Sequence, residues 1–580
     1  MEEGLYMATA TTNRFDAVIV GSGFGGSVMA YRLAQEGFSV CVLERGKKYP
    51  PGSFARSPLA VQNNFWDPSR GLYGLFNIWS FRGMDAIVSS GVGGGSLIYG
   101  NVLLRKDEKW FVIEDAKNPG YKAWPVTRAE LDPHYDNVER MMNAQKYPHD
   151  HEPYRSTPKT QAIKLAADEL IRKDPANIRW ESPNLAVTFA NAGRSPVPAE
   201  LLVEPPGSNL HNSPRTTCRL CGECLFGCNY GSKNTLDYNY LPQALKLNAE
   251  IRPLSEVRSF QPLAEGGYLV KYVVHTPDRE GINSDTSELP LQTISADRLI
   301  LAAGAVGSTY LLMKNRPAFP NISATLGSRF GGNGDQFAFA VKCHETVGGK
   351  RVPRKVDAAF GPVITSAIRI ADKLDGGTGR GLYIEDMGYS DTVNWIIQML
   401  SAPGRTKRYL HFIARFIKGL LGGNVSSDLN GAISDMLTAS EITYATLFMI
   451  AMGRAPQDGV MRLNGKFLDL DWNLDSSREF YARMQEYLKT IAETLQADFI
   501  KNPEDFLHRS AVAHPLGGCP MGGNDKEGVV DSRGEVFNYP GLFVADGAVM
   551  PGPVGPNPAL TIAAIADRIA ALIIERSRKG

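Results

Sequence analysis

The sequence has no apolar run long enough to cross a bilayer, no excess of either charge and no internal repeat. A helical span needs about 20 consecutive apolar residues, so its absence excludes one. Lys and Arg number 62 against 61 Asp and Glu, a formal net charge of +1. That balance lacks the basic footprint of a nucleic-acid-binding protein. Residues 1–16 lack the basic and apolar stretches of a secretory leader and carry no twin arginine, so a cytoplasmic location is expected. Residues 1–14 read as a disordered start. Cysteine is scarce, seven in 580 residues, yet four fall within eleven positions. In a cytoplasmic chain such crowding points to metal or redox chemistry before disulfides.

With 43% hydrophobic and 21% charged residues, the chain reads as globular. Its length exceeds one simple core, so two intertwined domains are expected. The sharpest local signal is Gly21-Ser22-Gly23-Phe24-Gly25-Gly26, between the apolar run Ala17–Val20 and a helix predicted over Ser27–Glu36. Gly21 permits the turn, Gly23 lets backbone approach a pyrophosphate, and Gly26 lets helix and strand pack closely. The helix N-terminus offers N–H groups and partial positive charge to phosphate. Glu44, closing the next apolar run Val40–Leu43 and followed by Arg45, is placed to accept from ribose hydroxyls.

A second glycine loop carries Gly93, Gly94, Gly95 and Ser96, with Asn101 just beyond. So much glycine suggests close approach of backbone to a flat ligand. Strands are expected at Ile251 and Tyr268–Val274. Another strand, Arg298–Ala303, runs into Gly304, a second strand–turn–helix unit of a doubly wound sheet. Near the C-terminus the strand Leu542–Ala545 leads to Asp546-Gly547, suited to a ribityl hydroxyl. Asn557-Pro558 then opens a helix to about Ser577, with Asn557 at the N-cap position and Pro558 at the first helical one. As a cap alone, Asn557 would have no chemical role. His514 lies between a segment read as helical and a glycine turn, where a flat ligand can reach it. That makes it a better base candidate than most of the nine histidines.

In their order along the chain, these elements resemble the glucose-methanol-choline (GMC) family of flavin oxidoreductases, and most of all its cholesterol oxidase-like branch. The resemblance rests on the opening Gly-Ser-Gly-Phe-Gly-Gly with Glu44, the Gly93–Leu97 loop, Leu301–Gly304, His514–Cys519 and Gly555–Thr561. It implies an α/β protein, α+β overall, with a discontinuous Rossmann-like FAD-binding domain (15–125, 205–334 and 506–578). A discontinuous substrate-binding region (126–204 and 335–505) would carry an antiparallel or mixed sheet with helices. It implies FAD rather than NAD, and oxidation of an alcohol by hydride transfer to flavin N5. FAD contacts are expected from Gly21, Gly23, Phe24, Gly25, Gly26, Glu44, Arg45, Gly93, Gly94, Ser96, Asn101, Val257, Ala303, Gly304, Asp546, Gly547, Asn557 and Pro558. His514 and Asn557 would face the reacting hydroxyl. Glu385 matches a sterol-oxidase carboxylate and competes with His514 for the role of base. No histidine occurs in residues 84–104, so the family's covalent flavin link has no match and FAD is expected to bind non-covalently.

The substrate implied is a lipophilic alcohol, a 3-hydroxysteroid or sterol first, with isomerisation of a Δ5-3-ketone as an accompanying step. A long-chain or terpenoid alcohol is the alternative, and a non-catalytic flavin electron carrier is the reading of another class. Cys218, Cys221, Cys224 and Cys228 have the C-x2-C-x2-C-x3-C spacing of ferredoxin-like loops, without the proline after the last cysteine. Either an iron–sulfur cluster feeding a protein acceptor or unliganded thiols in an enzyme using O2 fits that spacing. Residues 405–421 alternate Arg408, His411, Arg415 and Lys418 with Tyr409, Phe412, Ile413, Phe416 and Ile417 at helical spacing. This suits either peripheral membrane contact or an ordinary surface helix.

Overall fold

The apolar run 17–20 forms the C-terminal half of a strand, Arg14–Val20, and is buried on both faces. The computed structural model describes residues 14–56, 63–114, 120–276, 280–390, 444–465, 467–472, 474–501 and 510–579. Residues 1–13 and 405–421 therefore lie outside the described residues.

Arg14–Val20 is flanked by parallel strands on both sides. Val40–Leu43 pairs with it through Val18 and Cys41, and Gln292–Leu301 through Val18 and Leu299. Glu250–Arg252 extends the sheet beyond Val40–Leu43. The far edge of Gln292–Leu301 forks. Residues 292–296 pair antiparallel with Tyr268–Val274, whereas 299–301 pair parallel with Leu542–Val544. A further strand missed in the sequence, Ser255–Pro262, completes an antiparallel hairpin with Tyr268–Val274. Four strands thus end at one edge in Gly21, Glu44, Ala302 and Ala545. That carboxyl edge is where doubly wound sheets bind ligands.

The helix Phe24–Gln35 packs against the C-terminal helix Ala559–Lys579 and against Tyr240–Lys246. Thr127 and Glu130 form a capping box that starts the helix Arg128–Met141. Its Leu131, Tyr135 and Val138 join the core of the first sheet, and His134 meets buried Asp567 of the C-terminal helix at 2.6 Å. This helix thus packs with the nucleotide-binding layer, whereas the sequence reading put 126–204 in the substrate region.

The second sheet is wholly antiparallel, in the order Ile178–Glu181, Ala367–Ile370, Leu382–Met387, Leu447–Gly453, Gln336–Val341 and Asp498–Lys501. The helices Pro158–Lys173 and Arg478–Thr494 bury their apolar faces on it. Leu382–Met387 is buried along its full length. Strand alternation sends Leu382 and Ile384 to the helical side and Tyr383, Glu385 and Met387 to the opposite face. The apolar run 447–452 lies in an interior strand, Leu447–Gly453. Among the described residues no helix is long and apolar enough to cross a membrane.

Candidate active site

At the carboxyl edge of the first sheet the glycines divide by what surrounds them. A Cβ on Gly25 would lie 1.7 Å from the Ala545 carbonyl oxygen, and one on Gly26 2.0 Å from the Gly21 oxygen. The fold itself demands those two. Gly23 has ordinary extended dihedrals and nothing closer than Gly94 Cα at 3.9 Å. Besides its place as the N-cap of the helix, a group outside the chain gives that position a reason to lack a side chain. The second glycine loop lies directly across: a Cβ on Gly94 would meet Gly23 Cα at 2.5 Å. Ser22 Oγ joins the loops, accepting from Gly93 N at 3.0 Å and donating to Glu44 at 2.7 Å.

Glu44 is buried, and the chain already engages both its oxygens: Oε2 accepts from Ser22 N and Oγ, and Oε1 from Gly46 N. Arg45 lies over the Trp66 ring at 5.5 Å. Phe24 meets Tyr99 edge-on at 5.2 Å. Ser96 Oγ donates to Gly93 O and accepts from Leu236 N, a loop-bracing role. Val257 is buried beside a register shift in its strand. Asp546 accepts from Gly304 N and Ser308 Oγ through Oδ2 and from Ala548 N through Oδ1. It thereby links the Ala303-Gly304 and Asp546-Gly547 turns. Burial pushes its carboxyl up to about 6 against those three donors. Asn101 is fully buried with φ of +71°, and neither its amide oxygen nor its nitrogen has a partner. Buried amides without partners are rare in folded chains, and one just beyond the second glycine loop suits the polar edge of a flat ring. The open Gly23 and the partnerless Asn101 amide together fit a bound dinucleotide.

Asn557 is not a helix cap. Its Nδ2 donates to Glu385 Oε2 at 3.1 Å, and its Oδ1 has no partner. Pro558 O instead accepts the helical bond from Ile562 N. Glu385 Oε1 is likewise buried and partnerless, so the pair leaves one amide oxygen and one carboxyl oxygen unspent. Burial pushes the Glu385 carboxyl up to about 8, resisted by the Asn557 hydrogen bond and reinforced by Asp386 and Asp335. Its neighbour Asp386 behaves oppositely. Burial raises it too, but Lys159, Thr365 and Ser366 surround it on the helical side, and the Lys159 ammonium and Thr365 donors bring it below the ordinary range.

His514 follows the short strand Ser510–Val512, not a helix, and that strand pairs with Met84–Ser89. Its Nδ1 meets Asp335 Oδ1 at 2.7 Å, and its ring is 17% exposed. His514 and Asn557, 43 positions apart in the numbering, are tied through one stretch. Asn333 donates to the carbonyls of Gly555 and Pro556 and accepts from Gly555 N, while Asp335 holds His514. Lys106, fully buried, donates to the carbonyls of Pro553 and Val554. Sequence reasoning missed Asn333, Asp335 and Lys106. The sole trace of Asn333 and Asp335 was the glycine-rich run Gly331-Gly332-Asn333-Gly334-Asp335, and Lys106 left none.

A carboxyl raised by burial stabilises the fold below its unfolded pKa and loses that contribution as pH rises through the folded value. For Glu385 the window runs from about 4.5 to about 8. Glu385→Gln is therefore expected to gain on the wild type across that window, reaching a Tm a few degrees higher by pH 8. Calorimetry of both proteins from pH 5 to 8 checks it; a constant Tm difference would contradict it.

The four cysteines are free; Cys218 is buried and the others half-buried. They line one cavity with Lys233, with about 20 Å³ of room for the centre of a water. That is space for about one water. Lys233 Nζ donates to the carbonyls of Leu97, Tyr99 and Cys224, joining this loop to the second glycine loop. Burial drives the Cys218 thiol well up and Cys221 up to about 12, with the neighbouring cysteines adding to both. Among the described residues no three His, Cys, Asp or Glu side chains are arranged to hold a metal ion. The loop as folded does not fit a cluster.

The doubly wound layer, the antiparallel layer, and the contacts of His514 with Asp335 and of Asn557 with Glu385 accompany similarities that mark an FAD-dependent oxidoreductase acting on CH–OH donors. Residues 455–566 match the family described as GMC oxidoreductase, and residues 19–57 match an NAD(P)-binding Rossmann-like domain. The match to the GMC oxidoreductase family covers the C-terminal part of the chain. It is 29% identical over 573 residues to a cholesterol oxidase of Mycobacterium tuberculosis, covering 96% of this chain and 91% of that one. It is 24% identical to a long-chain-alcohol oxidase of Arabidopsis thaliana, covering 97% of this chain and 67% of the other. A solved FAD-dependent oxidoreductase from Chaetomium thermophilum shares the fold, with TM-score 0.57, 14% identity, and 97% and 100% of the two chains covered.

Proposed function

We propose that the protein oxidises a 3-hydroxysteroid or sterol, with His514 as the base that takes the hydroxyl proton. The observation that carries this reading is the division of labour between the two candidates. Glu385, with a carboxyl near 8, holds its proton at neutral pH, so it is a poor base for an alcohol. His514 has its Nδ1 on an acceptor-only carboxylate, which leaves Nε2 as the proton acceptor. Asn557 contributes polar contact to the substrate oxygen. Bound FAD supplies the acceptor for the hydride that leaves the carbinol carbon as the carbonyl forms. Glu385, half-ionised near pH 8, suits proton shuttling in isomerisation of a Δ5-3-ketone.

The sterol assignment draws on the cholesterol oxidase relatives and on the apolar face formed around Glu385 by Tyr383, Met387, Ile450 and Met452. The long-chain-alcohol oxidase relative supports a second substrate class, separable by assaying both alcohols side by side. O2 is the proposed electron acceptor. The alternative, an iron–sulfur route through Cys218, Cys221, Cys224 and Cys228, keeps only its spacing in support. Iron and acid-labile sulfide in protein purified without oxygen distinguish the two: less than 0.1 iron per chain, on the order of background, is expected for the O2 route. Contact of residues 405–421 with a membrane holding the alcohol is part of this reading on sequence alone.

Non-covalent FAD predicts that acid precipitation leaves the flavin in the supernatant. Yellow protein in the pellet would overturn that assignment.

A further inference from the structure

Resting on His514 as base, we infer that Asp335 is a positioning residue that fixes the tautomer and aim of the His514 ring. Asp335 has no exposed side-chain surface. Its Oδ2 is spent on two backbone donors, Ala513 N at 2.8 Å and His514 N at 2.9 Å. Those bonds set the height and rotation of the carboxylate, so Oδ1 has one place to be: 2.7 Å from His514 Nδ1. A carboxylate only accepts, so Nδ1 must carry the hydrogen and Nε2 must present its lone pair. The same carboxylate then balances the imidazolium that forms when Nε2 takes a proton.

The backbone makes Asp335 rigid. Asn333 and Gly334 are both left-handed, with φ of +54° and +75°, and a Cβ on Gly334 would fall 2.7 Å from Phe480 Cε1. Asp335 N closes the bend on Gly332 O at 3.0 Å. Before the bend, Gly331 and Leu516 exchange backbone hydrogen bonds in both directions. After it, Gln336 enters the second sheet opposite Ala451. The segment is held at both ends and does not follow the ring. Asn333, two residues away, grips Gly555 and Pro556 ahead of Asn557. One bend therefore registers the histidine against the asparagine.

A double-mutant cycle on the FAD-loaded enzyme tests this, since residues that act through one another are non-additive. Asp335→Asn keeps an oxygen for the loop N–H groups and is expected to lower kcat by about 10²-fold, a misaim-sized loss, with KM within about twofold. In the His514→Ala background the same change is expected to alter kcat less than about twofold. An equal fold-loss in both backgrounds would overturn the inference and leave Asp335 a merely structural residue. Wild-type kcat in Asp335→Asn, beside a large loss in His514→Ala, would also overturn it while sparing His514 as base. Wild-type turnover in His514→Ala would instead sink the underlying reading. If Asp335→Asn does not fold, Asp335→Ser, which still offers an acceptor, goes through the same cycle.

Discussion

His514→Ala is expected to lower kcat by about 10²–10⁴-fold, the range for removing a positioned general base. The ring is 17% exposed and stands on a loop whose backbone donors remain satisfied by Asp335, so folding and flavin content should survive. KM should change little, because the lost interaction is with a proton in transit rather than with the body of the substrate. Stopped-flow flavin reduction under anaerobic conditions measures this step directly. If reduction by the alcohol kept its wild-type rate, His514 would have no part in proton removal and the electron-carrier reading would gain ground.

The second large effect separates two glycines two residues apart. Gly25→Ala places a methyl 1.7 Å from the Ala545 oxygen. No rotamer relieves a clash with backbone, so this variant is expected to fail to fold. Gly23→Ala adds a methyl to extended backbone with 3.9 Å of clearance. It is expected to fold with near wild-type secondary structure yet to weaken FAD by about 10²-fold, roughly 2.7 kcal/mol. The ratio of flavin to protein after gel filtration, with circular dichroism on the same sample, reads both. A Gly23→Ala protein that kept stoichiometric FAD would move the pyrophosphate away from this turn.

What was readable in the sequence follows from range. Gly21 and Gly26 act within a few residues of a strand and a helix, so their spacing carried the turn and the close packing, whereas the constraint on Gly25 comes from distant Ala545. The strands at Val40–Leu43 and Tyr268–Val274 are apolar runs bounded by polar turns, and they stand where expected. His514 and Asn557 were singled out by resemblance more than by pattern, since no local period marks either.

The failures are long-range. Asn557 before proline reads as a cap, and only the contact with Glu385, 172 residues away, gives it another role. The polar, mixed stretch that forms the helix Arg128–Met141 does not tell which layer buries Leu131, Tyr135 and Val138. Ser510–Val512 is too short to show alternation, and its pairing with Met84–Ser89 is written hundreds of residues upstream. Asp335 is one carboxylate among 61 acidic residues; nothing in its neighbourhood points to a ring 179 positions later.

The most direct measurement is the visible spectrum of the purified, oxygen-free protein before and after adding a 3β-hydroxysterol. The account predicts flavin bands that bleach with the sterol, without added nicotinamide. Flavin bands that stay unchanged with sterols but bleach with a long-chain alcohol would contradict the substrate assignment. A folded, FAD-supplemented protein with no flavin absorbance would contradict the account as a whole.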